Sequence, residues 1–281
     1  MIANQEEQNY LNLLKNILDN GSDRSDRTGV GTKSVFGTQL RFSLADNKVP
    51  MLTTKKMFAR GIIEELLFFI RGKTNTKELE AKGVNIWKGN TSREFLDKKG
   101  LTDYPEGEMG PMYGSQWRNF NGVDQLKNAL DLVKNDPYSR RIIVSAYNPS
   151  VSHLTVLEPC HMFFQFYVDN GKLSCQFYMR SVDIFLGNPF NILSYAILTR
   201  MFTKAANLEP GELIFTGGDT HIYNNHIDQV KEQIDHEPYP FPKMLINKEI
   251  STIEDMENMS FEDFSFEGYS SYPSIKAPMA I

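Results

Sequence analysis

One stretch of the sequence restricts the fold more than any other. Two runs rich in apolar residues, His161 to Val168 and Lys172 to Tyr178, flank the tripeptide Asp169-Asn170-Gly171. Asn-Gly between two such runs is typical of a two-residue turn in which both residues take positive φ, and this turn joins adjacent antiparallel strands. The sequence therefore predicts a β-hairpin in which Asp169 pairs with Lys172.

The register of this hairpin predicts which residues surround Cys160. Continuing the pairing places Cys160 opposite Ser181, so the thiol and the segment Met179-Arg180-Ser181 should be neighbours. Cys175 lies in the same strand as Ser181, roughly 20 Å away at about 3.3 Å per residue. We therefore expect no disulfide between the two cysteines.

The rest of the chain predicts helices in blocks and strands in runs. Helical patterns cover residues 6–19, 58–71, 76–82, 123–134, 190–206 and 220–236. Strand patterns cover residues 34–43, 141–147 and 212–216, and short strands and turns fill residues 240–267. This order favours an α+β fold over strict βαβ alternation, and the absence of repeats and linkers favours a single domain over 1–281.

Composition and charge argue against several classes of protein. The 281 residues carry 30 Lys and Arg against 35 Asp and Glu, so no basic excess drives binding to nucleic acid or to a membrane surface. The longest apolar stretch, Phe190 to Ala206, contains Arg200 and Lys204 and reads as a buried helix rather than a membrane span. The polar first residues do not resemble a signal peptide, and two cysteines make neither a disulfide framework nor a zinc set. We expect a cytoplasmic protein without a metal.

Cys160 is a candidate nucleophile. It precedes His161 and lies near Arg180, and a nearby cation favours the reactive thiolate over the thiol. The alternative is that Cys160 only fills the core, as buried cysteines usually do. The spacing of these residues alone does not decide between the two interpretations.

Arginines supply a candidate anion site. Arg27 lies in a loop with glycines, Arg140 and Arg141 precede a strand, and Arg180 with Ser181 follows the hairpin. Guanidinium groups bind a phosphate dianion in a bidentate manner. Each arginine alone is better explained as an ordinary surface residue.

Three further positions are candidates for binding or proton transfer. Glu65 shares the apolar stripe of its helix with Ile62 and Phe69, so its carboxyl group is either a desolvated proton carrier or part of a salt bridge at the edge of the stripe. Asn191 either caps the apolar helix or presents its amide to a heterocycle. His221 and Tyr223 either begin a helix capped by Asp219 or bind a ligand hydroxyl.

The order of these motifs along the chain resembles the thymidylate synthase family. The motifs that carry the resemblance are Asp26-Arg27-Thr28-Gly29, Leu52-Thr53-Thr54-Lys55-Lys56, Glu64-Glu65-Leu66-Leu67, Gly110-Pro111-Met112-Tyr113-Gly114, Gln116-Trp117-Arg118, Arg140-Arg141, Glu158-Pro159-Cys160-His161, Arg180-Ser181-Val182-Asp183, Leu186-Gly187-Asn188-Pro189-Phe190-Asn191, Gly218-Asp219-Thr220-His221-Ile222-Tyr223 and Met279-Ala280-Ile281. They extend nearly from end to end.

The resemblance implies a mixed α/β sandwich whose large sheet packs back-to-back in a homodimer, and it implies the substrate deoxyuridine monophosphate. Its phosphate would be bound by Arg27, Arg180, Ser181 and, from the other subunit, Arg140 and Arg141. Asn191 would bind the pyrimidine edge, and His221 and Tyr223 the sugar hydroxyl.

The resemblance also implies the co-substrate 5,10-methylenetetrahydrofolate and a covalent mechanism. Cys160 would attack ring carbon 6, with Glu65, Tyr113 and His161 moving protons, and Asn191 and Asp183 supporting the reaction. Asp183 would also hold the pterin. The folate pocket would be completed by Phe58, Ile86, Trp87, Asn90, Leu186, Gly187, Phe190, Tyr223 and Ala280. The docked Ile281 end would exclude water, so that hydride reaches the exocyclic carbon.

The chain departs from the family pattern at several positions. Pro is usual where this chain has Glu158, and Gln where it has Met179. Trp is usual at Tyr147 and Phe68, Val or Leu at Asn188, and Val at Ile281. Two alternatives therefore stay open: a hydroxymethylase in which water takes the methylene intermediate, and a non-catalytic nucleotide-binding or RNA-binding homologue.

Overall fold

The structure, a computed structural model, describes residues 4–279. Its helices are α1 Gln5–Asn20, α2 Ala59–Ile70, α3 Lys77–Glu80, α4 Arg93–Lys98, α5 Gly114–Arg118, α6 Gln125–Asn135, α7 Gly187–Ala206, α8 Ile227–Ile234 and α9 Ile253–Glu257. Its strands are β1 Ser22–Arg24, β2 Thr32–Ser43, β3 Ile143–Ser145, β4 His161–Asp169, β5 Lys172–Asp183, β6 Glu209–Tyr223, β7 Lys243–Ile246 and β8 Phe264–Glu267. Within residues 4–279, every helix is too short or too polar to cross a membrane.

Six of the strands form one mixed sheet in the order β1-β2-β6-β5-β4-β3. Strands β5 and β6 run parallel, and all other neighbours in this sheet are antiparallel. Strands β7 and β8 form a separate antiparallel pair. Because helices flank this mixed sheet, the expected α+β class is confirmed.

The hairpin of β4 and β5 is confirmed, and its turn has the expected geometry. Asp169 pairs with Lys172, while Asn170 and Gly171 take φ values of 47° and 76°. Near the far end of the hairpin a β-bulge between His161 and Phe163 shifts the register by one residue. A bulge inserts an extra residue into one strand, so every pairing beyond it moves by one position.

The core lies between one face of the sheet and helices α2 and α7. The ring of Phe177 in β5 stacks on Tyr195 of α7 at 4.3 Å, and that of Phe166 in β4 on Phe202 at 4.5 Å. Most side chains of α7 are buried, so the interpretation of the apolar stretch as a buried helix is confirmed. The opposite face of the sheet exposes large apolar side chains, among them Ile143, Phe163 and Tyr167.

Two sequence predictions about element boundaries are wrong. Residues 220–223 continue strand β6, and helix α8 begins only at Ile227 after a 3-10 turn at Asn224–His226. The reason is tertiary: β6 pairs with β2 on one side and β5 on the other up to His221, so sheet pairing overrides the helical pattern. Helix α7 begins at Gly187, because Pro189 is tolerated in a first turn whose N–H groups need no helical partner.

Candidate active site

Cys160 lies immediately before β4, partly accessible, with its backbone held on both sides. Its N–H donates to the hydroxyl of Tyr113 at 3.0 Å, and its carbonyl oxygen accepts from the N–H of Arg180 at 2.9 Å. The bulge therefore places Arg180 beside Cys160, and the predicted pairing with Ser181 is wrong by one residue. Cys160 and Cys175 are both free thiols, as expected.

The thiol of Cys160 carries opposing electrostatic influences. Burial raises its pKa above the ordinary value, and the guanidinium groups of Arg180 and Arg27 oppose that rise while Asp183 adds to it. The expectation that a cation favours the thiolate is thus correct in sign, but burial outweighs it. The thiol stays mainly protonated at neutral pH until something else in the site takes the proton.

Tyr113 is held in a strained backbone conformation next to this thiol. Its φ of 43° is rare for a bulky residue, and it directly precedes Gly114, the first residue of α5. A Cβ on Gly114 would lie 2.3 Å from the carbonyl oxygen of Phe69, so only glycine lets α5 approach α2 this closely. Burial raises the pKa of Tyr113 well above its usual value, which keeps its hydroxyl protonated.

His161 packs flat against Tyr113, with ring centroids 3.9 Å apart. Its Nδ1 lies 2.9 Å from the hydroxyl of Tyr195, and burial lowers the pKa of His161 to about 3. The imidazole is therefore neutral at neutral pH. It acts in the site as an uncharged hydrogen-bonding group.

Glu65 projects from α2 and is 8% exposed. The indole Nε1–H of Trp87 donates to its Oε1 at 2.7 Å, and burial raises the pKa of Glu65 to about 7. Of the two alternatives for Glu65, a desolvated carboxyl group or a salt bridge, the structure has the desolvated group with this neutral donor, while the neighbouring Glu64 pairs with Lys82 at 2.6 Å. A carboxyl group with a pKa near neutrality can both release and accept a proton under working conditions.

A tight turn begins at Asp183, the last residue of β5, and leads into α7. One carboxylate oxygen of Asp183 accepts the N–H groups of Phe185 and Leu186 at 3.1 and 3.0 Å. Tyr10 donates to the carbonyl oxygen of Ile184 at 2.8 Å, and the buried ammonium of Lys55 donates to that of Phe185. This turn, named here the 183–186 turn, is thus held in place by hydrogen bonds from the side chains of Tyr10 and Lys55.

Asn191 lies one turn inside α7 and does not cap the helix, so that alternative is wrong. Its Nδ2 donates to the carbonyl oxygen of Gly187 at 3.1 Å. The described members of the predicted folate pocket come from five segments: Phe58 before α2, the 86–90 loop with Ile86, Trp87 and Asn90, the 183–186 turn with Asp183 and Leu186, the start of α7 with Gly187 and Phe190, and the end of β6 with Tyr223. Ala280 and Ile281 lie outside the described residues.

His221 and Tyr223 lie at the end of β6, two residues apart on one strand. The alternative in which Asp219 caps a helix is wrong, because Asp219 lies within β6 and accepts from Ser34 at 2.7 Å and from Nδ1 of His221 at 3.0 Å. Burial first, and then the charge of Asp183, raise the pKa of Tyr223 to about 12. Its hydroxyl therefore stays protonated, and this pKa also responds to the charges of Arg27 and Cys160.

The candidate phosphate arginines divide into two groups. Arg27 and Arg180 both act on the pKa of Cys160, so they belong to one site. Arg140 and Arg141 are exposed ahead of β3, where Gln165 reaches the carbonyl oxygen of Arg140 at 3.4 Å. Position 165 is five residues along β4 from Cys160, roughly 16 Å at about 3.3 Å per residue, and Arg140 lies on the outer edge beyond it.

Sequence reasoning missed several residues that organise this site. Asp26 accepts hydrogen bonds from Thr28 and Gly31, which lower its pKa although burial opposes them, and these bonds shape the loop around Arg27. The pattern Asp-x-Thr followed by glycines is a recognisable turn signal. Lys55 and His226 have no such signal, because both are buried through long-range packing.

Two of the departures from the family pattern have a structural explanation. Glu158 is exposed, and only its carbonyl oxygen bonds Arg180, at 2.8 Å. Met179 is buried, and its sulfur lies 3.6 Å from the Nδ2 of the buried Asn188. The carboxylate of Glu158 therefore faces solvent. The side-chain amide that the family usually has at position 179 is missing here, but Asn188, in contact with Met179, supplies an amide nearby.

Comparison with known proteins gives one consistent result. The family model described as "Thymidylate synthase" matches residues 8–281. Thymidylate synthase of Saccharomyces cerevisiae is 49% identical, covering 99% of this chain and 98% of the relative, and that of Homo sapiens is 49% identical, covering 98% and 91%. A bifunctional dihydrofolate reductase-thymidylate synthase of Zea mays is 48% identical over 98% of this chain and 55% of its own length. The resemblance read from the motifs is confirmed, and the chain belongs to the thymidylate synthase family.

Proposed function

We propose that this chain, a methyltransferase of the thymidylate synthase family, converts deoxyuridine monophosphate and 5,10-methylenetetrahydrofolate to thymidylate and dihydrofolate. The observation that carries the proposal is the grouping of Tyr113 and Arg180 around Cys160, whose thiol is partly accessible. The buried carboxyl group of Glu65 belongs to the same site, because its charge acts on the pKa of Tyr113.

The substrate phosphate binds to Arg27, Arg180 and Ser181. Arg180 is already oriented, since its Nε donates to the carbonyl oxygen of Pro159 at 3.0 Å, and this leaves guanidinium N–H groups for an anion. The Asp26-organised loop holds Arg27 within electrostatic range of the thiol. A dianionic phosphate at this place anchors the nucleotide with its base toward Cys160.

The base and sugar are recognised by neutral polar groups. The amide of Asn191 both donates and accepts, as the uracil edge requires, whereas a carboxylate there would favour cytosine. His221, oriented by Asp219, and the protonated hydroxyl of Tyr223 bind the sugar hydroxyl. Because a ribose carries a second hydroxyl, this pair favours the deoxyribonucleotide.

Cys160 adds to ring carbon 6, which makes carbon 5 nucleophilic enough to take a one-carbon unit. Glu65, with a pKa of about 7, holds and releases the proton that this addition and the later elimination require. Tyr113 holds the backbone of Cys160 through its hydroxyl, and the neutral His161 stacks on Tyr113 and bonds Tyr195. Asn191 and Asp183 support the same steps by fixing the base and the pterin.

The residues present fit a folate. Phe58 is 46% exposed, and its ring lies against the first turn of α2, where a Cβ on Gly61 would lie 2.4 Å from two ring carbons. Together with Ile86, Trp87, Leu186 and Phe190 it offers a partly exposed apolar lining, and Asp183, Asn90, Gly187 and Tyr223 complete the proposed pocket. When bound, the folate supplies the one-carbon unit and the hydride.

We propose a homodimer in which Arg140 and Arg141 of the partner subunit complete the phosphate site. In one chain these arginines lie far along the sheet from Cys160, so they serve a site other than their own. The exposed apolar face of the sheet, with Ile143, Phe163 and Tyr167, is a suitable interface for a second copy. A monomer would then be inactive. The free thiols suit the reducing cytoplasm.

Product identification tests the proposal against the hydroxymethylase. The purified protein is incubated with deoxyuridylate and methylenetetrahydrofolate, the nucleotide is analysed by mass, and dihydrofolate is followed by absorbance. We expect a methyl group and one dihydrofolate per thymidylate. A hydroxymethyl nucleotide formed without dihydrofolate would favour the hydroxymethylase. If the protein formed no covalent adduct with a fluorinated substrate analogue and the cofactor, both enzyme hypotheses would be refuted and only the non-catalytic homologue would remain.

A further inference from the structure

The last described residues form a strap without regular secondary structure, defined here as residues 268–279. Tyr269 accepts from the N–H of Met57 and donates to the carbonyl oxygen of Leu52, both at 2.9 Å. Tyr272 donates its N–H to Thr53 at 2.8 Å, and its ring stacks on His236 at 3.9 Å. The first half of the strap is thus held at several points.

The second half of the strap makes a hydrogen bond to a buried histidine, His226. Nε2 of His226 lies 2.7 Å from the carbonyl oxygen of Pro278, and His226 is fully buried. Because a carbonyl oxygen only accepts, Nε2 carries the hydrogen and donates it. Within residues 4–279 the other nitrogen, Nδ1, is buried without a hydrogen-bond partner. The hydrogen bond of this side chain is therefore made to the strap.

His226 also touches both sides of the proposed site. Its ring centroid lies 5.6 Å from Phe185 in the 183–186 turn and 5.6 Å from Tyr223 at the end of β6. One residue earlier in the same 3-10 turn, Asn224 donates its N–H to Gly31 in the Arg27 loop at 3.0 Å, through the backbone. The imidazole therefore joins the strap to the elements that carry the proposed folate and nucleotide residues.

We infer that His226 is a positioning residue: its Nε2–H bond to Pro278 keeps the end of the strap closed over the site and so excludes water from the methylene intermediate. This inference rests on the proposed function. With the strap closed, hydride from the folate adds to the exocyclic carbon, ring carbons 5 and 6 regain their double bond, and Cys160 leaves. With the strap open, a water oxygen adds instead, its proton passes to solvent, and tetrahydrofolate leaves with its hydride.

Two amide variants separate the hydrogen bond from mere bulk. In His226→Gln the amide nitrogen takes the place of Nε2 and can still donate to Pro278, whereas in His226→Asn it is one methylene too short. His226→Met is a second variant without a donor, used if the Asn variant does not fold. His153→Asn, at an exposed position, is the matched control for the substitution itself.

The first measurement is the ratio of hydroxymethyl nucleotide to thymidylate, with tritium release from carbon 5 counting every intermediate formed. We expect the ratio to rise about three- to tenfold in the Asn or Met variant, the value of one buried hydrogen bond, and to stay near normal in the Gln variant. The Kd for the nucleotide alone should change less than twofold. Equal ratios in the Asn, Met and Gln variants would overturn the inference.

The second measurement does not depend on activity. Carboxypeptidase digestion of the free protein reports how often the strap end opens. We expect the Asn or Met variant to lose its terminal residues about three- to tenfold faster than the Gln variant or His153→Asn. Unchanged digestion would overturn the inference, whereas absent tritium release from the native chain would refute the proposed function and leave the digestion result standing.

Discussion

Replacement of Glu65 by Gln should stabilise the protein at alkaline pH relative to acidic pH. The carboxyl group is 8% exposed, and burial raises its pKa from 4.5 to about 7. In the unfolded chain the group ionises near 4.5, so between the two values the unfolded state loses its proton first. The native chain therefore has its full contribution from this group below pH 4.5 and loses it as the pH rises through 7.

The size of the effect follows from the shift. About 2.5 pH units correspond to about 3 kcal/mol of unfolding free energy at 1.36 kcal/mol per unit. Gln does not titrate, so the difference in unfolding free energy between the variant and the native chain should grow by about 3 kcal/mol from pH 4.5 to pH 8.5. Any constant packing cost of the amide cancels in this comparison.

Urea unfolding at both pH values and at one protein concentration measures the effect. The matched control is Glu64→Gln, which removes a carboxylate one residue away and breaks its salt bridge with Lys82. We expect no alkaline gain in the control. If the Glu65→Gln difference is the same at both pH values, or favours the native chain at pH 8.5, then burial does not govern this carboxyl group.

Three further outcomes are expected. Cys160→Ser should abolish turnover while the Kd for deoxyuridylate, measured by calorimetry, stays within about threefold, because the hydroxyl is not a usable nucleophile; a near-normal rate would refute the covalent route. Arg140→Ala chains mixed with Cys160→Ala chains should regain part of the activity in hybrid dimers, and no recovery after subunit exchange verified by native mass would exclude a shared site. Trp87→Phe removes the donor that favours the carboxylate of Glu65, so the limb of the pH–rate profile governed by Glu65 should move to higher pH by about one unit; a shift to lower pH contradicts this role.

Local patterns predicted part of this structure well. The hairpin turn follows from Asn170 and Gly171 alone, because those residue types tolerate the required positive φ. The desolvation of Glu65 follows from its place on the apolar stripe of α2. Both features depend on residues close in sequence.

Features set by distant pairing were not predictable. The bulge between His161 and Phe163 depends on how β4 fits the whole sheet, and it moved Arg180 into the place expected for Ser181. Residues 220–223 have a helical pattern, but they form part of strand β6 because they pair with β2 and, up to His221, with β5. The burial of His226 and its bond to Pro278 join positions 52 residues apart.

The protonated thiol of Cys160 affects more than turnover. Oxidants and alkylating agents attack the thiolate, whereas burial raises the pKa of Cys160 and so keeps its sulfur largely as the thiol. Under the proposed mechanism, burial would therefore protect this sulfur from irreversible oxidation and alkylation while no substrate is bound. Under the same proposal, the reactive thiolate would form only when the nucleotide that it attacks is bound.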